Sequence, residues 1–507
     1  MIRALTRALT VSASCLWLVA PASAPASPLL PVSHAGRWMT DARGRVVIVH
    51  GINMVYKLPP YYPAAAGFGA DDAAFLARIG FNAVRVGVIW KAVEPHPGVY
   101  DERYLNKIAA TVRTLARHRI LSLLDFHQDM YNETFQGEGF PDWAVQDDGL
   151  PHEPKRGFNQ NYFFMPALQR AYDHFWENSQ GPGHVGLQDR YAAAWAHVAR
   201  RFRSNRHVLG YDLMNEPFPG TQWPSCAALT GCPAFDATLT SFVKRADAAI
   251  RAVDRRTLIW YEPNVAFDFG PDTALGPTGD RRSGFSFHAY CFEYGASGST
   301  ASCGTAGDLV LANAVRHAQQ TSDALLMTEF GDAEYSLLSA MVARNDRNMV
   351  PWLEWHYCPC HDPTGEAIKN AVIKDPRTPP RGSNLVSGTL GSLVEPYPQV
   401  VAGTPQSWSF DRATRRFTFS FTTARANGRG RFGRGWVSEI AIPRLVYPRR
   451  YAVRVLGGAI VSRPGARTLR IAACRKARKI EVKVLASGRS HASCRIPPRA
   501  ARPRGSR

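Results

Sequence analysis

Eight times between residues 46 and 358 a short, almost wholly apolar run gives way to a polar stretch of helical spacing. The runs are VVIVHGINMVY (46–56), FNAVRVGVIW (81–90), ILSLLDFHQD (120–129), VLGYDLMNEP (208–217), TLIWYEPN (257–264), GFSFHAYC (284–291), ALLMTEFGD (324–332) and VPWLEWHYC (350–358). None alternates, so each reads as a strand buried on both faces. Segments such as 103–118, 191–202 and 235–253 carry apolar residues at helical spacing between them. Strand then helix, eight times, predicts a parallel (β/α)8 barrel over 36–387, an α/β fold.

The runs also end alike, in polar or aromatic residues: DFHQD, NEP, EPN, HAY, EFG. In such a barrel the C-terminal strand ends meet on one face, where chemistry is done. Glu216 would therefore stand at a pocket rim rather than inside the sheet, with Glu329 at the matching place on the seventh strand. Two carboxyl groups across a scissile bond are what glycoside hydrolysis needs, one protonated and one ionised. Asp125, Asp129, Asp212, Glu262 and Glu354 are further acidic candidates. Glu262 also ends a strand and competes most closely, while Asp212 and Glu354 sit inside apolar runs and suit structural roles. The long connection 130–207, aromatic and Gly-rich, has the length of an insertion that shapes a substrate site.

From about 388 the texture changes. SWSFDRATRRFTFSFTT, YAVRVLGGAIV and KIEVKVLASG alternate with period two between Gly and Pro breaks, which predicts an antiparallel β-sandwich over 388–496. Of the chain's 61 Lys and Arg and 41 Asp and Glu, 25 and three lie in 396–507, leaving 36 and 38 in front. The net charge of +20 is thus a property of the back of the chain. Such a domain attracts anionic surfaces, or its arginines simply keep it soluble. The Pro-Arg-rich end, 497–507, reads as a disordered tail.

Arg3 and Arg7 before ALTVSASCLWLVA and PASAPAS have the form of an export signal, 1–26, with the cut after Ala26. A secreted protein is expected, and with it no nucleic-acid partner. Setting Cys15 aside leaves eight cysteines in local pairs, 226 with 232, 291 with 303, 358 with 360 and 474 with 494, an even number suited to an oxidising compartment. The short CPC loop leaves open that Cys358 or Cys360 pairs elsewhere, or that CPCH (358–361) holds zinc.

The constellation around the two glutamates resembles the retaining glycoside hydrolases of the clan that includes family 5. It comprises Arg85 in NAVRVGV, His127 in DFHQD, Asn215 in NEP, His288 and Tyr290 in FHAY, and Trp355 in WLEWHY. More narrowly, VYKLPPYYP with Lys57, DFHQDMYN with Asp129 and a sandwich after the barrel resemble the endoglycoceramidases, over about 46–490. Chemistry and resemblance together imply the roles. Glu216 is the acid/base, with its pKa raised by its surroundings, and Glu329 the ionised nucleophile, held by Arg85 and Tyr290. Arg85 would alternatively satisfy Asp125. Asn215 takes the sugar 2-hydroxyl, and His127 and Asp129 take other hydroxyls. Lys57 reaches a hydroxyl or steadies a carboxylate, and His288 bonds near Glu216. Trp355, preferred to Trp352, is the platform under the sugar, and Trp176 is a second stacking surface.

The expected activity is cleavage between oligosaccharide and ceramide in glycosphingolipids held in a membrane or micelle, by a monomer needing no metal or cofactor. FFMPAL and MVYKLPPYY would supply an apolar slot for the lipid. The alternatives are a β-glucanase acting on soluble polysaccharide and a non-catalytic carbohydrate- or membrane-binding protein. One geometric expectation underlies the first two: the carboxyl groups of Glu216 and Glu329 face each other at about 5 Å.

Overall fold

Twenty strands, in chain order, are β1 (Ser33–Ala35), β2 (Trp38–Thr40), β3 (Val46–Val47), β4 (His50–Met54), β5 (Ala83–Val88), β6 (Leu121–Phe126), β7 (Val208–Asp212), β8 (Leu258–Tyr261), β9 (Ser283–His288), β10 (Ala324–Glu329), β11 (Trp352–Glu354), β12 (Tyr397–Val401), β13 (Thr404–Asp411), β14 (Arg416–Thr422), β15 (Val437–Ala441), β16 (Ala452–Leu456), β17 (Gly458–Ile460), β18 (Thr468–Ala473), β19 (Lys479–Leu485) and β20 (His491–Ala492). They belong to a computed structural model that describes residues 28–365 and 367–495. The expected signal (1–26) and tail (497–507) lie outside the described residues.

Strands β4 to β11 close into a parallel barrel in the order in which they occur. Each of the eight apolar runs contributes one of them, and every residue of these strands is buried. One side chain shows how the interior is filled. Trp260 lies across the barrel where Cβ atoms at 210 and 284 would otherwise be, so both positions are glycine. The outer ring follows the helical spacing. Glu102–Arg117 turns Leu105, Ile108, Val112 and Leu115 onto the barrel, and Asp101 caps it by accepting from the Arg103 and Tyr104 amides. Each such buried aliphatic side chain stabilises by about 1.5–3 kcal/mol over its exposed state. Helices Leu187–Phe202 and Pro233–Arg251 fall where the spacing places them.

The sandwich differs from expectation at both of its chain boundaries. One sheet runs β1-β2-β3-β12-β15-β18-β17 and the other β13-β14-β19-β16-β20. Residues 33–47, assigned by sequence order to the barrel or its approach, thus supply three strands of a sandwich sheet. Val46 and Val47 pair with Val401 and Val400, and Met39 and Val47 belong to the cluster that closes the barrel floor. At the other boundary, 388–395 is not sandwich. Ser387–Leu393 is a helix packed with Tyr335–Asn348, and the strands begin at Tyr397. Its sequence, SGTLGSL, is too short and too poor in apolar residues to show a helical period.

The two units meet at buried polar groups. Trp408 on β13 donates its indole N–H to Asp346 Oδ1 at 2.6 Å, and Glu395, beside Asp346, pairs with Arg412 at 3.0 Å. The four cysteine pairs are the sequence-local ones, including Cys358 with Cys360, so the thiolates that a zinc site at 358–361 requires are bonded to each other. Three of the four bridges lie in loops that follow barrel strands β7, β9 and β11.

Candidate active site

Where β7 ends, the chain leaves the sheet through Leu213-Met214-Asn215-Glu216. Glu216 has φ 43°, in the left-handed region that a side chain rarely occupies. Three contacts hold it there. The Gln128 amide donates to the carbonyls of Asn215 (2.9 Å) and Glu216 (3.2 Å), and the Glu216 amide donates to Glu262 Oε2 at 2.9 Å. This over-determined turn lifts the side chain from the sheet, to 9 % exposure beside strand neighbours at 1 % or less. Gln128 lies within DFHQD, but nothing in the sequence marks an amide as the brace of a turn 88 residues away.

Arg85, fully buried on β5, organises the floor. Its Nε donates to Asp212 Oδ2 (2.9 Å) and Nη1 to Glu329 Oε1 (2.6 Å). Nη2 reaches Asn215 Oδ1 (3.0 Å), Glu262 Oε1 (2.8 Å) and Asp125 Oδ1 (3.0 Å). Both contacts expected of this arginine, to Asp125 and to Glu329, are therefore made. Arg85 shares these acids with His127, 2.7 Å from Asp125, and His288, 3.2 Å from Glu262, which leaves Asp212 with Arg85 as its one cation among the described residues. Burial, together with Glu262 and Asp125, pushes Asp212 up to about 8 against the pull of Arg85, so Asp212 keeps a proton at neutral pH.

The expected carboxyl pair faces across His288. Its Nδ1 is 2.9 Å from Glu216 Oε1 and 3.7 Å from Glu329 Oε2. The two oxygens are thus no further apart than those lengths laid end to end, 6.6 Å. That is within reach of the roughly 5–5.5 Å of double displacement, and short of the room that inverting enzymes leave for a water over most of their range. Burial lowers His288, but Glu262, Glu329 and Glu216 outweigh it and push the imidazole well above its usual range. Burial and Glu216 raise Glu329, opposed by His288 and Arg85. Each Glu329 oxygen accepts a donor, Arg85 Nη1 at Oε1 and the Tyr290 hydroxyl at Oε2 (2.7 Å), as an ionised nucleophile requires.

Lys57, His127, Asp129 and Trp355 come together beside this pair. Lys57 Nζ pairs with Asp129 (2.5 Å) and Asp362 (3.2 Å), donates to Thr364 Oγ1 (2.7 Å) and lies 4.5 Å from the centre of the Trp355 ring. Of the two roles considered for Lys57, the geometry shows the steadying of a carboxylate. His127 bridges Asp125 (2.7 Å) and Asp129 (3.4 Å) and stacks on Trp355 at 5.2 Å. Burial lowers His127, yet Asp125 and Asp129 bring it up to about 10, and against burial Lys57 and His127 hold Asp129 well below the usual carboxylate range. The Trp355 ring is part-exposed, whereas Trp352 is fully buried and stacked on His50. Asp362 and Thr364 follow the last strand in a stretch with no periodicity, so they escaped notice.

Two expectations change. Trp176 is not a stacking surface for sugar: it is 6 % exposed among Phe175, Phe235 and Phe242, and its indole N–H donates to Phe218 O at 2.7 Å. It packs under the loop that follows Glu216, because helix Pro166–Trp176 turns that face inward. Glu262, the competitor for a catalytic role, points to Arg85, His288 and the Glu216 amide instead. Two triads have metal-ligand chemistry, His127/Asp129/Glu138 and Glu216/Asp268/His288, each with ligand atoms within 4.8 Å.

A closed parallel barrel carrying two carboxyl groups over one imidazole at its strand ends, with a cationic floor under one of them, defines a glycoside hydrolase. The description "Cellulase (glycosyl hydrolase family 5)" matches residues 40–360 and "Glycoside hydrolase family 5 C-terminal domain" residues 396–484. The chain belongs to glycosyl hydrolase family 5. Endoglycoceramidase I of Rhodococcus hoagii is 32 % identical over 465 residues, 89 % of this chain and 87 % of that protein. Endoglycoceramidase of Cyanea nozakii is 28 % identical over 450 residues, 79 % and 83 % of the two chains. Among solved structures, endo-glycoceramidase II from Rhodococcus sp. as a lactosyl-enzyme intermediate matches with TM-score 0.72 and 27 % identity, over 92 % of this chain and 100 % of that one. Its ganglioside GM3 complex matches with the same score and 26 % identity, over 89 % and 99 %.

Proposed function

We propose that the protein is a retaining endo-β-glycosidase that hydrolyses the bond between oligosaccharide and ceramide in glycosphingolipids. The observation that carries the reading is the Glu216/Glu329 pair within 6.6 Å across His288, with the Lys57/Asp129/Trp355 wall beside it. Glu329 attacks the anomeric carbon as Glu216 gives its proton to the departing ceramide oxygen. The C–O bond to ceramide breaks and a glycosyl ester on Glu329 forms. Glu216, now a carboxylate, takes a proton from water, whose oxygen displaces Glu329 and releases the sugar. The relatives named endoglycoceramidase, and the lactosyl and ganglioside complexes of one of them, support the same substrate class here.

A lipid leaving group needs apolar surface close to a polar sugar cleft. Phe164 of FFMPAL is half exposed, and an open cleft of about 430 Å³ lies over Pro60, Tyr61, Tyr62 and Pro95, with Lys91, Asp101, Arg103 and Lys107 also in its lining, in the connections that follow β4 and β5. We further infer secretion as a monomer, with four disulfides and the basic leader in support, and approach to an anionic lipid surface through the sandwich. On the outer face of its smaller sheet the cross-strand register aligns Lys483 with Arg454 and Arg454 with His491, all exposed. Among the described residues no helix is long and apolar enough to cross a membrane.

Mass spectrometry of the products from a single ganglioside tests the main reading. Intact oligosaccharide and ceramide are expected; monosaccharide release, or turnover of β-glucan alone, refutes it. Salt tests the surface role, because attraction between exposed charges is screened within about 10 Å at 0.1 M. Hydrolysis in anionic mixed micelles should fall with salt faster than hydrolysis of a soluble aryl glycoside, and equal slopes count against the sandwich.

A further inference from the structure

Glu262 ends β8 fully enclosed, and no step of double displacement uses it. Its surroundings are those of a permanent anion. Oε1 accepts from Arg85 Nη2 at 2.8 Å and lies 3.2 Å from His288 Nε2, and Oε2 accepts the Glu216 amide at 2.9 Å. Burial raises it, but His288, Arg85 and the Glu216 amide outweigh burial and hold it below the usual carboxylate range. One side chain therefore touches three parts of the machinery: the backbone of the acid/base, the imidazole beside that acid/base, and the arginine beneath the nucleophile.

Two of these contacts converge on Glu216. The amide bond fixes a left-handed residue that has little reason to stay there unaided. The contact at Nε2 draws the proton of that nitrogen toward Glu262 and so holds the ring with Nδ1 2.9 Å from Glu216 Oε1. Asp268, the other carboxyl near this imidazole, is 4.0 Å from Nδ1 and is pushed well above the carboxylate range by burial, so it does not supply that charge. The third contact, to Arg85, is shared with Asp125 and Asp212 and is the one that simple charge balance explains.

We propose that Glu262 is a positioning residue for the acid/base: from beneath the cleft it fixes both the backbone of Glu216 and the seating of the His288 ring against its carboxyl group, and so aims the proton that Glu216 delivers. The proposal rests on Glu216 being the proton donor, and it is independent of which lipid leaves.

The test compares aryl lactosides of different leaving-group acidity, which need no ceramide and which a glycosidase of this family hydrolyses or does not before any variant is made. A 2,4-dinitrophenolate departs without a proton, whereas a phenolate needs one. For Glu262→Gln we expect kcat/KM on the phenyl lactoside to fall about 100-fold, within the range of general acid catalysis. On the 2,4-dinitrophenyl lactoside it should fall less than about fivefold, and KM should change little on either. The plot of log kcat/KM against leaving-group pKa therefore steepens. Equal losses on the two substrates overturn the proposal, since a role through Arg85 and Glu329, or through the fold alone, slows both alike. Glu262→Asp, which keeps the charge but withdraws the oxygens by one methylene, covers the case in which the glutamine variant does not fold. It should show the same steepening, and a wild-type slope overturns the proposal as well.

Discussion

Tyr290→Phe separates the nucleophile from its support with a single atom removed. The hydroxyl donates to Glu329 Oε2 at 2.7 Å, and the other donor on that carboxylate, Arg85, sits on the other oxygen. His288 is 3.7 Å from Oε2, too far to replace the lost bond without movement. A hydrogen bond to an ionised group contributes about 1.5–3 kcal/mol, and that difference acts only on the charged form. Since about 1.4 kcal/mol is one pH unit of proton affinity, the acid limb of kcat/KM, where the free enzyme's nucleophile must ionise, should move up by about one to two pH units. Below the limb the variant loses roughly tenfold to a hundredfold. The assay is kcat/KM against pH on an activated aryl glycoside, so that proton donation does not limit, with near-ultraviolet circular dichroism to confirm that the fold is kept. An acid limb within about 0.3 units of wild type would refute the assignment of Tyr290 as the donor that keeps Glu329 ionised.

Three further outcomes follow from the contacts described. Glu329→Gln should abolish turnover while leaving a cooperative melt close to that of the wild type, and detectable turnover would remove Glu329 from the nucleophile's role. Burial beside Asp346 raises Glu395 to about 7 from an ordinary 4.5, so its stabilising contribution is complete below about pH 4.5 and is lost as pH rises through 7. That amounts to roughly 3 kcal/mol, which Glu395→Gln should flatten out of a urea-stability profile between pH 5 and 8; an unchanged slope would show that Glu395, beside Asp346, does not hold the proton. Trp176→Ala should cost about 3–5 kcal/mol of stability, as a deleted core tryptophan does, and only secondarily affect turnover. A stable variant with a raised KM for oligosaccharide would restore the stacking role instead.

What was legible in the chain was whatever repeats or sits at a fixed place in a repeat. The barrel was legible because strands buried on both faces carry no polar interruption until they end, which also exposed Glu216, Glu329, His127 and His288 as the polar residues at those ends. Trp176 misled because a tryptophan on an amphipathic helix reads the same whether the helix turns it toward sugar or toward Phe235. The sandwich boundary misled because Trp38–Thr40 and Val46–Val47 are too short to show a period, and the partner of the second, Val400–Val401, lies more than 350 residues later.

By itself the sequence determined the fold class, the strand ends where Glu216 and Glu329 stand and the basic character of the second unit, since periodicity and composition are properties of neighbours along a chain. Only the tertiary structure decided which charge sits on which. That Arg85 contacts four acids, that Glu262 accepts the Glu216 amide, and that Lys57 pairs with Asp129 and Asp362 are facts about groups tens to hundreds of residues apart. Proton affinity depends on distance through a buried, poorly screened interior, and no spacing along the chain encodes that distance.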